Sequence, residues 1–95
     1  MKILFDSTIP ALRELCTALG LPIRPPPGWR YISQQQGVRP WLGIGNNLEV
    51  YGIIPTDPRI VAEWKLRGIT RRSATEMVAA IEAVPLSLRF VPQPQ

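Results

Sequence analysis

The sequence predicts a single small α+β domain with an antiparallel or mixed sheet and its helices on one face, and three observations support this. The chain has 95 residues, the size of one domain. Short apolar strand patterns alternate with segments whose apolar residues recur at helical spacing. Hydrophobic residues make up 45% of the chain and charged residues 19%, which is typical of a globular domain. We place the domain at residues 1–92 and expect a frayed polar tail at 93–95.

The first strand and the first helix have clear boundaries. Residues 2–6 contain three bulky apolar residues in a row, which predicts a short buried strand. Residues 8–19 follow with one apolar stripe at helical spacing, and Ser7 or Thr8 is suited to cap that helix. Gly20 fits the left-handed position just beyond the helix end. The sequence therefore predicts a strand and then a helix.

The centre of the chain predicts extended structure. Residues 22–28 contain three consecutive prolines and predict a stiff polyproline II connector across one face of the domain. Residues 29–33 fit either a strand or an irregular connection. Residues 41–45 and 48–54 predict a hairpin, because the Asn-Asn pair between them tolerates the positive φ that a tight turn needs.

The last third of the chain predicts two helices and a final strand. Asp57 caps the first of these helices and Gly68 ends it, while residues 73–76 form a capping box for the next helix. Residues 86–91 alternate as a strand. If residues 29–33 are a connection, the element order is β-α-β-β-α(α)-β, the split-βαβ order of ferredoxin-like folds. That order predicts helices on one face of the sheet and leaves the other face open.

The composition excludes several kinds of site. The chain has no histidine, which excludes Ser-His-Asp and Cys-His catalysis and removes the commonest metal ligand. Its single cysteine, Cys16, excludes an intrachain disulfide and a Cys-based zinc site, and indicates a reducing, cytoplasmic location. No window reaches the roughly 18 apolar residues of a membrane span. We therefore expect no cofactor, no metal and no membrane association.

The carboxylates and glycines suggest no catalytic set. Asp6 ends a buried strand, a common position for functional groups, but an Asx turn or helix cap is also ordinary there. The opening strand resembles the first strand of PIN-type nucleases, which ends in a metal-binding Asp. The later acidic residues do not follow that family's arrangement, so the chain is not assigned to it. Gly43 and Gly45 match only part of a dinucleotide loop. We expect a protein that is not an enzyme.

A basic segment at the junction of the second and third helices is the strongest positive signal. Its five cations are Arg59, Lys65, Arg67, Arg71 and Arg72. The chain has a net charge of +4, and nine of its 11 basic residues are arginines, whose forked donors suit phosphate oxygens. One hypothesis is a nucleic-acid-binding module that contacts phosphates through residues 59–72, also using the N-terminus of the third helix. The alternative interpretation of the segment is a solvated loop.

The aromatic residues support a second hypothesis, which we rank first. Trp29, Trp41 and Tyr51 either stack bases from an open sheet face, anchor a protein interface or, like Trp64, fill the core. The absence of a catalytic set favours a non-catalytic protein–protein interaction module, such as an adaptor, small subunit or inhibitor. Its binding surface would combine these aromatic residues with the arginines, and its partner would be another protein or complex. Nucleic acid is the alternative partner.

Overall fold

The computed structural model describes residues 1–89, and within that range it is a small α+β domain with three helices and a three-stranded sheet. The strands are β1 (Lys2–Asp6), β2 (Trp29–Ser33) and β3 (Glu49–Gly52). The helices are α1 (Ile9–Leu19), α2 (Pro58–Arg67) and α3 (Ala74–Glu82). Single turns of 3₁₀-helix occur at Gln34–Gln36, Arg39–Trp41 and Leu86–Leu88.

All three strands are parallel, which corrects the predicted antiparallel or mixed, ferredoxin-like sheet. The strand order is β2-β1-β3, and Lys2 is in register with Trp29 on one side and with Glu49 on the other. Parallel neighbours need long crossover connections, which residues 7–28 and 34–48 provide. The interpretation of residues 29–33 as an irregular connection is therefore wrong, because they form the edge strand β2.

The predicted hairpin at residues 41–54 is also wrong. Trp41 ends a turn of 3₁₀-helix, and the residues between it and β3 form a loop. Asn47 does adopt a positive φ of 59°, but it does so in a loop that delivers β3 to the central strand. The final predicted strand, at residues 86–91, begins with a 3₁₀ turn instead. Residues 90–91 of that predicted strand and the tail at 93–95 lie outside the described residues.

Both faces of the sheet are covered, and this corrects the prediction of helices on one face. One hydrophobic core joins Leu4 of the central strand to α1 and α3. A second core joins Ile3 and Phe5 to α2 and to the loop before β3. The chain moves to β2 over one face and returns to β3 over the other, since Leu12 of the first connection lies in the first core and Trp41 of the second connection lies in the second core. No open sheet face remains for stacking bases among residues 1–89.

The helix boundaries confirm the capping predictions. The Thr8 hydroxyl accepts a hydrogen bond from the Ala11 amide at 3.2 Å, and Gly20 ends α1 with a φ of 72°. Asp57 caps α2 by accepting from the Arg59 amide at 2.9 Å. Each of these contacts is local in sequence, so residue type alone specifies it.

Candidate functional site: an apolar cleft beside the polyproline connector

The aromatic residues of the predicted binding surface lie in the two cores. Trp41 has no exposed surface and packs between Phe5 and Trp64, with ring centroids 5.4 and 5.5 Å away. Trp29 and Tyr51 are buried together in the other core, with centroids 5.8 Å apart. These rings therefore stabilise the fold, and any surface that binds a partner consists of other side chains.

Three of the five predicted cations are paired with carboxylates of the same chain. The pair Arg59–Asp57 has an N–O distance of 3.7 Å. Arg67 and Glu63 lie 3.3 Å apart on α2 in an i,i+4 arrangement. Arg67 also donates to the carbonyl of Gly45 at 3.2 Å. The basic segment thus has less free positive charge than its sequence indicates.

The third pair occupies the N-terminus of α3. Arg72 Nη1 donates to Glu76 Oε2 at 3.1 Å, while Ser73 and Glu76 form the predicted capping box. The hydrogen bond from Arg72, followed by those from Ser73, lowers the pKa of the Glu76 carboxyl. A carboxylate of the chain itself therefore holds the position at which the sequence predicted an external phosphate.

The other two cations make no ion pair within residues 1–89. Lys65 is exposed on α2. Arg71 Nη1 donates to the carbonyl of Gly52 at 3.3 Å, and its backbone forms a single parallel bridge with Val50. The five cations therefore lie on α2 and at residues 71–72, which run beside β3. Two of them, Lys65 and Arg71, have no carboxylate partner within residues 1–89.

A cleft that the sequence analysis did not single out lies between the polyproline connector and residues 85–89. Its cavity volume is about 580 Å³, within the range of binding pockets. The residues that line it are Thr17, Leu21, Pro22, Ile23, Arg24, Ser87, Leu88 and Arg89. Half of these residues are apolar, and none is acidic.

Both walls of the cleft are fixed by hydrogen bonds and prolines. On one side, the Leu21 amide donates to the Cys16 carbonyl at 2.9 Å, and the Tyr31 hydroxyl donates to the Pro22 carbonyl at 2.8 Å. On the other side, the Leu88 amide donates to the Pro85 carbonyl at 2.9 Å. A binding surface with such restrained walls loses little conformational entropy when a partner docks.

The cleft combines exposed apolar side chains with unpaired guanidinium groups. Ile23 is 69% exposed and Leu88 is 42% exposed. Arg24 and Arg89 make no ion pair within the described part of the chain. Since an exposed aliphatic patch costs free energy in water, a partner that covers it is favoured.

One signal for this cleft was present in the sequence. Ile23 and Arg24 stand in a proline-rich segment that cannot become a helix, and so Ile23 has no regular element that buries it. The prediction of a stiff connector described the backbone of residues 22–28 and did not consider where the side chains of Ile23 and Arg24 lie. Arg89 was assigned to a predicted strand, and no local pattern relates residue 89 to residue 24.

The other candidate sites among the described residues have fewer groups that could bind a ligand or react. Asp6 Oδ1 accepts from the Ser7 amide at 2.7 Å, a local contact at the end of β1, whereas Thr8 caps α1. Within residues 1–89, no three His, Cys, Asp or Glu side chains lie close enough together to hold a metal ion. None of the described helices has the length and apolar character needed to span a bilayer.

The thiol of Cys16 is expected to react slowly in the folded protein. Cys16 is 2% exposed in the first core, and burial raises the pKa of its thiol, so less of the reactive thiolate is present at a given pH. With Ellman's reagent at pH 8, we expect labelling about tenfold or more slower in buffer than in 8 M urea. Equal rates in the two solutions would contradict the buried position of Cys16.

Comparison with known proteins gives no information about the function of this chain. No family model, no curated protein and no solved structure gives a significant match to this chain. A functional conclusion therefore rests on the residues and on the contacts described above.

Proposed function

We propose that this chain is a non-catalytic protein–protein interaction module, an adaptor, small subunit or inhibitor, that binds its partner through the cleft. The observation that supports the proposal is that the exposed side chains of Ile23 and Leu88 line the same cleft as Arg24 and Arg89, which have no carboxylate partner within residues 1–89. Apolar residues at the centre and arginines among them are typical of protein interfaces. The proposed surface is thus aliphatic and arginine-rich, since the aromatic residues lie in the cores.

The alternative of a nucleic-acid-binding module has weaker support. Three of the five cations at residues 59–72 already pair with Asp57, Glu63 and Glu76, and those carboxylates would repel a phosphate backbone. Within residues 1–89 both faces of the sheet are covered, so no face is open for base stacking. The charge that remains on Lys65 and Arg71 is small for a backbone binder.

Replacing Ile23 with Asp is expected to release the partner. Ile23 is mostly exposed, so the substitution removes an apolar contact and places a charge in the cleft with little effect on folding. Ile54 is 62% exposed and does not line the cleft, so Ile54→Asp is the matched control. In quantitative affinity capture from cells of the source organism, we expect at least about a tenfold loss of the retained partner for I23D and little change for I54D.

Two outcomes would contradict this function. Equal retention of the same partner by I23D and I54D would remove the cleft from the interface. Micromolar binding of short labelled oligonucleotides in fluorescence anisotropy, lost in an Arg71→Glu, Arg72→Glu variant and falling steeply with salt, would replace a protein partner with nucleic acid.

A further inference from the structure

We infer that the partner's recognition element is an acidic amphipathic helix with two apolar anchors, one on each side of Leu88. This inference rests on the proposed function and specifies the chemistry of its partner. It comes from a second cavity that continues the cleft and from the distribution of charge around both cavities.

The second cavity lies on the other side of Leu88 and has a volume of about 340 Å³. Its lining residues are Lys2, Pro26, Pro27, Trp29, Ala80, Ala83, Val84, Pro85 and Leu88. The connector and residues 85–89 contribute walls to both cavities, and Leu88 is the residue that lines both. A partner that fills both cavities therefore places an apolar side chain on each side of Leu88.

A helix can present two such anchors from one face. Apolar residues at i and i+4 lie on the same side of a helix, with Cβ atoms about 6 Å apart, so both can point at one surface. Amphipathic helices commonly dock in apolar grooves by such anchors. Addition of an extended strand is less suited here, since the edge of β2 is occupied at both ends. The Trp29 amide donates to the Pro26 carbonyl at 3.0 Å, and the Ser33 amide donates to Gln36 Oε1 at 2.8 Å.

The charged residues that line the two cavities are all basic. Arg24 and Arg89 flank the first cavity and Lys2 lines the second, and none of the described lining residues is acidic. Lys2 has one carboxylate nearby, Glu49 at 3.8 Å, whereas the two arginines have none within residues 1–89. Carboxylates next to the apolar anchors of the partner would pair with the guanidinium groups of these arginines.

Three synthetic helical peptides test this inference with the full chain. The first carries Leu at positions i and i+4 and Glu at the flanking positions, the second replaces each Glu with Gln, and the third replaces both Leu with Ala. In fluorescence anisotropy at low salt, we expect the first peptide to bind, the Gln peptide to bind about fivefold to twentyfold more weakly, and the Ala peptide not to bind measurably. Raising the salt concentration should weaken the binding of the first peptide and leave the binding of the Gln peptide nearly unchanged.

Protein variants locate the effect. Arg24→Gln combined with Arg89→Gln should reduce the preference for the Glu peptide to within about twofold of the Gln peptide. Arg39→Gln is the control, since Arg39 is exposed, makes no ion pair within residues 1–89 and does not line either cavity. Retention of the full preference in the double variant would overturn the role of the two arginines.

The outcomes separate this inference from the proposed function. If I23D releases the captured partner but the Glu peptide binds no better than the Gln peptide, the acidic helix is wrong and the interaction module stands. If the Ala peptide binds as well as the Leu peptide, the two-anchor arrangement is wrong. If I23D retains its partner and no peptide binds, both proposals fail.

Discussion

Gly52→Ala is expected to destabilise the folded chain by about 4 kcal/mol or more, enough to unfold much of a domain of this size. Gly52 lies in β3 with a φ of 118°, a conformation that residues with a side chain rarely adopt. A Cβ at this position would overlap the carbonyl oxygen of Phe5 in the central strand and would lie 3.0 Å from its carbonyl carbon. Neither backbone can move away without breaking the parallel pairing of β1 and β3.

Urea denaturation followed by far-UV circular dichroism measures this loss. Gly43→Ala is the matched control, because Gly43 also has a positive φ, of 70°, but its Cβ would meet no atom within 4 Å. We expect the control to cost about 1 kcal/mol, the ordinary penalty of a left-handed residue. A cost for Gly52→Ala within 1 kcal/mol of the control would contradict the close approach of β1 and β3.

The position of Gly52 shows why the sheet could not be predicted from local patterns. A glycine inside a strand pattern signals a bulge or the close approach of another backbone, but it does not say which backbone. The partner is Phe5, far away in sequence, and the pairing is parallel. The Asn-Asn pair before β3 favoured an antiparallel hairpin with the segment just before it. A prediction from local patterns does not compare that pairing with pairing to a strand far away in sequence.

One sequence signal for a parallel sheet was nevertheless present. Residues 3–5 are three consecutive bulky apolar residues, and all three are fully buried, alternating between the two cores. A strand of a sheet with one open face would alternate apolar and polar residues, whereas a strand covered on both faces is continuously apolar. The continuous run in β1 thus indicates the two covered faces that the structure has.

Helix ends were predictable because their causes are local. The hydroxyl of Thr8, the missing side chain of Gly20 and the Ser73–Glu76 capping box each act within a few residues. The charge of the basic segment was less well predicted, although the i,i+4 spacing of Glu63 and Arg67 was visible in the sequence. Counting cations along the chain overestimates free charge wherever acids stand one helical turn away.

Trp41→Ala is expected to cost about 3 to 5 kcal/mol in the free energy of unfolding. The indole of Trp41 is completely buried, and its edge-to-face contacts with Phe5 and Trp64 join the loop before β3 to α2 and the central strand. Removing the ring leaves a cavity that the rigid sheet cannot close. Trp41→Phe keeps part of the ring contact and should cost roughly half as much.

The same experiment decides between a structural and an interface role for the aromatic residues. An aromatic residue that anchors a partner from the surface costs binding when it is removed and leaves stability almost unchanged, within about 0.5 kcal/mol. Leu66→Ala is the control for a surface change, since Leu66 is 81% exposed on α2. If the urea midpoint and the near-UV circular dichroism spectrum of Trp41→Ala match those of Leu66→Ala, the ring is on the surface. An aromatic protein interface would then be the better hypothesis. A large loss of stability instead confirms that the ring of Trp41 belongs to the second core.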